Sequence, residues 1–217
     1  MRGDILVLQE WHRRAAREIV SYILDAIRRK SSRYTMTVAG ESGSGKSETG
    51  RAIADELEKH GIRSVVLGQD DYYVLPPKSN DQRRRQDPHW LGPHVEVRLD
   101  LLEQNLVSAL QGKSEITKPL IDYGANTILE ETIPLDGVKV LLAEGTYTSL
   151  LKHVDTRIFI ARTWQDTLAD RTTRNRGNEA HDAFVEQVLK TEHKIIAGHQ
   201  QLADFLITND YVVVAMA

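Results

Sequence analysis

Between residues 9 and 30 the apolar side chains Trp11, Ala15, Ile19, Ile23 and Ile27 recur among Arg and Glu, the stripe of an amphipathic helix. The polar run Lys30-Ser31-Ser32 ends it. A β-branched run, TMTVAG at 35–40, predicts a short strand that enters the glycine-rich GESGSGKS of 40–47. The following SETGRAIADELEKHG predicts a helix to Lys59 or His60, with Gly61 in the position just past its end that glycine favours. Further strands are expected at 63–68 (RSVVLG), 137–145 (GVKVLLAEG), 156–161 (TRIFIA) and 204–208, with a less regular β-like stretch over 115–134. Helices are expected over 96–111, up to about Arg176, and over 181–199, with a Gly177-Asn178 break before the last. Residues 74–94 hold four of the six prolines and no regular period, which predicts a long loop or lid. Strands and helices alternate throughout, the pattern of a three-layer α/β fold with a mainly parallel sheet. Residues 1–34 then form an N-terminal helical extension and 35–217 the main domain.

Composition narrows the chemistry. The 217 residues carry 28 Lys plus Arg and 31 Asp plus Glu, a formal charge of −3, with a pI near 6.2. That balance argues against a nucleic-acid partner, for which a basic domain is expected, while small anions remain open to locally basic sites. The absence of cysteine excludes disulfides, thiolate metal sites and a cysteine nucleophile. The apolar run at 5–8 is too short for a signal peptide, and no stretch approaches the ~20 apolar residues of a membrane span. A cytoplasmic protein without membrane partners is expected.

Residues 40–47 match G-x-x-x-x-G-K-S/T between an expected strand and an expected helix. In such a loop Gly40, Gly43 and Gly45 let the backbone wrap a phosphate chain, so that successive N–H groups, those of Ser42 and Ser44 included, and the helix N-terminus face the anion. Lys46 supplies charge to the β and γ phosphates, and the Ser47 hydroxyl is a Mg²⁺ ligand. Two strands end in acids, at Gln69-Asp70-Asp71 and at Glu144-Gly145, where open parallel sheets gather their ligands. One acid can accept the proton of an attacking hydroxyl while the other positions Mg²⁺. Asp71 has the weaker claim and is read as a cap or an orienting residue.

Five Arg and no Lys lie between Arg157 and Arg176. Arg171, Arg174 and Arg176, beside the Gly-Asn break, could clamp a transferring phosphate from a closing segment. Arg83-Arg84-Arg85 could attract an anionic substrate or simply be a solvated face. Asp87, His89, Trp90 and His94 could line an acceptor pocket or pin their loop, and the histidines have no convincing zinc spacing.

Taken together, GESGSGKSETGRAIA, VVLGQDDYY, VLLAEGTY and DRTTRNRG stand in the order of the uridine kinase and phosphoribulokinase branch of P-loop kinases, which the chain resembles over about 35–210. The resemblance implies a nucleoside/nucleotide-kinase-like P-loop NTPase fold, ATP and Mg²⁺ as cofactors, and a small hydroxylated acceptor. It implies Asp70, Lys46 and Arg174 as catalytic residues, residues 40–47 with Arg171 and Arg176 as the ATP site, and Ser47 and Glu144 as metal ligands. Tyr73, Asp87, His89 and Arg174 would face the acceptor, with an acceptor loop over about 74–95 and a lid over about 171–180. Uridine kinases read their base with a Pro-x-Tyr-Asp-Phe motif and a following histidine. The corresponding segment here is 119–126, with Ile121 and Asn126 at the positions that matter, so a sugar, polyol or vitamin alcohol is as open as a nucleoside. Arg98 also stands where that family commonly has Asp. The N-terminal helix falls outside the family pattern and is read as a packing element or a surface for a homo-oligomer. A regulatory switch that binds nucleotide without an acceptor is the competing reading, and no N-K-x-D guanine motif is evident.

Overall fold

The computed structural model describes residues 6–168 and 182–216. Its centre is a six-stranded sheet, flanked by a separate two-stranded hairpin. In chain order the sheet strands are β1 (Tyr34–Gly40), β2 (Arg63–Gly68), β5 (Val138–Glu144), β6 (Thr156–Ile160), β7 (Phe205–Ile207) and β8 (Val213–Ala215), and the hairpin is β3 (Glu115–Asp122) with β4 (Thr127–Pro134). The sheet order is β2-β5-β1-β6-β7-β8. All neighbours are parallel except β8, which runs antiparallel to β7. The strand carrying the glycine loop is thus central, and the strands ending in acids lie to one side of it.

Alternation along β1, β5 and β6 sorts the core into two layers. Met36, Val38, Val140, Leu142, Ile158 and Ile160 face α1 (Glu10–Arg29) and α2 (Lys46–Lys59). Ala39, Leu141, Ala143 and Phe159 face α4 (Leu99–Leu110) and the end of α5 (Ala183–Ile196). Most of the apolar stripe of α1 is engaged: Ala15, Ile19, Val20 and Ile27 are all 0% exposed in the first layer. Trp11 departs from the expected stripe and is 45% exposed.

Three features differ from the sequence reading. The expected loop over 74–94 contains a helix, α3 (Pro77–Gln86), with proline in its first turn, where the missing N–H costs nothing. Its sequence, PKSNDQRRRQ, has no apolar period to betray it. It is supported by ion pairs one turn apart, Arg85 Nε to Asp81 at 2.9 Å and Arg83 Nη2 to Asp87 at 3.0 Å. The irregular 115–134 stretch is a regular hairpin whose turn holds Asn126 at φ 52°. The strand β8, unforeseen, follows a turn at which Tyr211 has φ 57°. The lid region 171–180 lies outside the described residues.

Candidate active site

The strand β1 delivers the chain into the glycine loop at Gly40, and α2 leaves it with Gly45 at its N-cap in the left-handed region, φ 92°. A side chain at Gly45 would run into the Tyr211 hydroxyl, so the close approach requires glycine as much as the dihedral does. Lys46 Nζ donates to the Glu41 carbonyl at 2.8 Å, a position from which it reaches across the loop. The loop is braced from outside: Glu41 accepts from Trp164 N at 2.5 Å and lies 2.6 Å from His193 Nδ1 of α5, and Thr167 Oγ1 donates to the Ser42 carbonyl at 3.1 Å. From the other side Tyr211 donates its hydroxyl hydrogen to the Ser44 carbonyl at 2.6 Å. His12 Nε2 is 3.2 Å from that phenol oxygen, while its Nδ1 accepts from Gln9 N at 3.0 Å. The α1 helix therefore reaches the phosphate loop through one tyrosine.

The acids stand at the ends of β2 and β5. Ser47 Oγ donates to Glu144 Oε2 at 3.1 Å. Burial, and then the neighbouring charge of Asp70, push the Glu144 carboxyl up to about 7. A hydroxyl and a carboxylate in contact, with negative charge in excess, suit a hard divalent cation. Among the described residues no group of three or more His, Cys, Asp or Glu could hold a metal ion. Asp70 is the second residue of a short 3₁₀ turn (Gln69–Tyr72) after β2. It lines, with Ser47, Glu144, Gly68 and Lys118, a cleft of about 560 Å³.

Asp71 lines the same cleft, but its carboxylate is committed to the neighbouring hairpin. It is 3% exposed, takes Lys118 Nζ at 2.7 Å and accepts Ile121 N at 3.0 Å, pinning β3 beneath the end of β2. The Ile121 side chain is wholly buried. Asn126 Oδ1 accepts from Lys78 N at 2.8 Å, stitching the hairpin turn to α3.

Several sequence candidates stand elsewhere than expected. Asp87 caps α3, taking Arg83 at 3.0 Å and its own neighbour His89 N at 3.0 Å; neither Asp87 nor His89 lines the cleft. Of the arginine triplet, Arg83 and Arg85 stay on an exposed face, each paired with carboxylates, while Arg84 turns inward. Arg84 is buried against Glu96 through Nε at 2.6 Å and Nη2 at 2.9 Å, and Arg85 pairs with Asp81 and, at 2.6 Å, with Asp182. Trp90 donates to Asn80 Oδ1 at 2.7 Å, so it pins the loop. Tyr73 is half-buried, with Arg84 5.8 Å from its ring centroid, and burial drives its phenol well above the usual value. The sequence reading missed His12 and Tyr211, which brace the glycine loop from outside any motif that could have flagged them. Arg171, Arg174 and Arg176 lie outside the described residues.

Among the described residues no helix is long and apolar enough to cross a membrane. The chain is 28% identical over 185 residues to a uridine kinase of Bacillus thuringiensis (strain Al Hakam), covering 78% of this chain and 82% of that one. It is 26% identical over 189 residues to a bifunctional α-galactosidase/sucrose kinase of Mediterraneibacter gnavus, of whose length it spans 20%. Its fold matches that of a D-glycerate 3-kinase from Cryptococcus neoformans var. grubii with a TM-score of 0.62 at 16% identity, over 93% of this chain and 99% of that one. Residues 35–207 match the model of the Phosphoribulokinase / Uridine kinase family; with the glycine loop leaving the central strand and acids closing its neighbours, the chain belongs to that family of P-loop kinases.

Proposed function

We propose that this chain is an ATP-dependent kinase that transfers the γ-phosphoryl group to a hydroxyl of a small polyhydroxylated acceptor. The observation that carries the reading is the convergence of Ser47, Glu144 and Asp70, from three separate elements, on one cleft. When bound, ATP supplies the phosphoryl group and Mg²⁺ offsets its charge. Residues 40–45 offer backbone N–H groups to the phosphates, Lys46 adds a positive charge, and Ser47 and Glu144 would hold the metal. The Asp70 carboxylate orients the acceptor hydroxyl and takes its proton as the oxygen bonds to phosphorus, and ADP leaves. The burial of Ile121 and the engagement of Asn126 with α3 weigh against a uridine-reading pocket. The names of the relatives, uridine and sucrose kinases, agree with acceptors rich in hydroxyls.

The test is ADP release from Mg·ATP with a panel of nucleosides, sugars and vitamin alcohols, together with two variants. Asp70→Asn should retain ATP affinity and lose at least the ~10²-fold in turnover typical of a missing general base; near-normal turnover would remove Asp70 from the role. Lys46→Ala should lose nucleotide affinity as well as rate. ATP binding with no acceptor-dependent ADP release would instead favour a nucleotide-dependent switch.

A further inference from the structure

Asp70 and Glu144 stand at the ends of neighbouring strands, but the ladder that aligns those strands stops short of Asp70. Its last pair is Gly68 with Glu144, and a Cβ at Gly68 would stand 3.0 Å from Glu144 Oε1. Past that pair one side chain carries the join. Gln69 is 0% exposed, and its Oε1 accepts from Tyr147 N at 2.7 Å. It also lies against Gly145, where a Cβ would fall 2.2 Å from Gln69 Cβ and 2.8 Å from its Oε1, so the two fit because Gly145 carries no side chain. The residue before Asp70 is thereby locked to the residues after Glu144.

The turn that receives Gln69 is itself fixed to β1, the strand that carries the glycine loop. Gly145 N donates to the Val38 carbonyl at 3.1 Å, and Thr148 Oγ1 donates to the same carbonyl at 3.3 Å. On its other side Asp70 is followed by Asp71, whose carboxylate takes Lys118 Nζ and Ile121 N of the hairpin. Asp70 stands between these two anchors and lines the cleft. The Gln69 amide is kept although its Nε2 is buried without a partner among the described residues, an unfavourable state that a hydrocarbon side chain would not create. What the amide supplies is the oxygen that holds Tyr147 N.

We propose that Gln69 is a positioning residue for phosphoryl transfer: it holds the turn of Asp70 against the turn after Glu144, so that the proton-accepting and the metal-holding carboxylates keep one separation. The proposal rests on the kinase reading above. Asp70 must meet the acceptor hydroxyl while Glu144 serves the metal on the phosphates, and a misplacement of about 1 Å between groups that act on one transfer costs ~10²-fold in rate. Gln69 touches neither reactant in this role, so its loss should appear in turnover and leave both substrates bound.

The experiment uses the full chain with Mg·ATP and the best acceptor of the panel above. Gln69→Met removes the oxygen and keeps the length of the side chain; kcat should fall about tenfold to a hundredfold, with the ATP and acceptor KM within about threefold. In the Asp70→Asn background the same change should cost less than about twofold more, since a residue that acts through Asp70 then has nothing left to position. A crystal structure of Gln69→Met should show the Asp70 carboxylate shifted relative to Glu144 by about 1 Å or more, with residues 40–47 in place. Unchanged kcat, losses that multiply with that of Asp70→Asn, or an Asp70 carboxylate that has not moved would each overturn the proposal. Gln69→Asn, which withdraws the oxygen with a smaller change of packing, goes through the same measurements if Gln69→Met does not fold. Failure of both variants to bind ATP would make Gln69 a folding residue and overturn the positioning role. Wild-type protein without acceptor-dependent ADP release, together with a shifted Asp70 in the variant structure, would keep Gln69 as the tie between the two acids and overturn the kinase reading alone.

Discussion

Glu144 shows how burial turns one side chain into a response to pH. Its carboxyl is raised from the ordinary 4.5 to about 7, so the folded protein holds that proton more tightly than the unfolded chain does. The contribution to stability is complete below pH about 4.5 and is lost as pH rises through about 7. Glu192, raised to about 7 as well, adds with the same sign. The melting temperature of the nucleotide-free protein should therefore fall by several degrees between pH ~5 and ~8, and Glu144→Gln should flatten much of that fall. Mg²⁺ binding should strengthen over the same interval, because the cation competes with the proton for the carboxylate. A melting temperature independent of pH, or Mg²⁺ binding unchanged in Glu144→Gln, would remove this account. The gathering of Ser47, Asp70 and Glu144 on one cleft was legible because each follows a recognisable strand or glycine signal. The His12–Tyr211 pair was not: the two lie 199 positions apart, and only folding brings the imidazole within 3.2 Å of the phenol. Asp87 lies in a context that resembles a motif, and the pairing of its carboxylate with Arg83, one helical turn back, could not be read from that context.

At the scale of elements, the phosphate loop is supported by segments that no loop motif contains. The α1 helix and the turn before β8 lie outside residues 35–207, where the family model matches, yet they meet at the Ser44 carbonyl through His12 and Tyr211. Arg162 lies over the Tyr211 ring at 5.5 Å, and Arg14 Nη2 donates to the Asp210 carbonyl at 3.2 Å. Removing the hydroxyl in Tyr211→Phe frees the Ser44 peptide to reorient while keeping the ring packed. The expected outcome is a roughly fivefold to tenfold rise in the ATP KM, the equivalent of one net hydrogen bond, with acceptor KM unchanged; steady-state kinetics with ATP and acceptor varied in turn decides it. Regular elements with an apolar period were legible from sequence to within a few residues: α1, α2, β1, β2 and β5. The α3 helix was not, because charge pairs and the buried Arg84 hold it rather than an apolar stripe.

Seen as one molecule, the chain joins what the sequence divides. The expected boundary at residue 34 separates an extension from a kinase domain, but α1 and α2 share the first core layer with β1, β5 and β6. A parallel sheet must be covered on both faces, and on this face α1 supplies much of the cover. Ile19, Val20 and Ile27 are 0% exposed and Ile23 is 4% exposed. At about 1.5–3 kcal/mol each, these four side chains represent roughly 6–12 kcal/mol, the size of the whole net stability of a typical domain, about 5–15 kcal/mol. A chain beginning at residue 31 should therefore lack a cooperative urea transition and should not bind ATP, although every motif residue is retained. Melting of that truncated chain at the same urea midpoint as the full protein, with ATP affinity preserved, would show that α1 is an appendage. Loss of cooperativity would place the phosphate site in a fold whose stability depends on a helix outside the family's shared sequence.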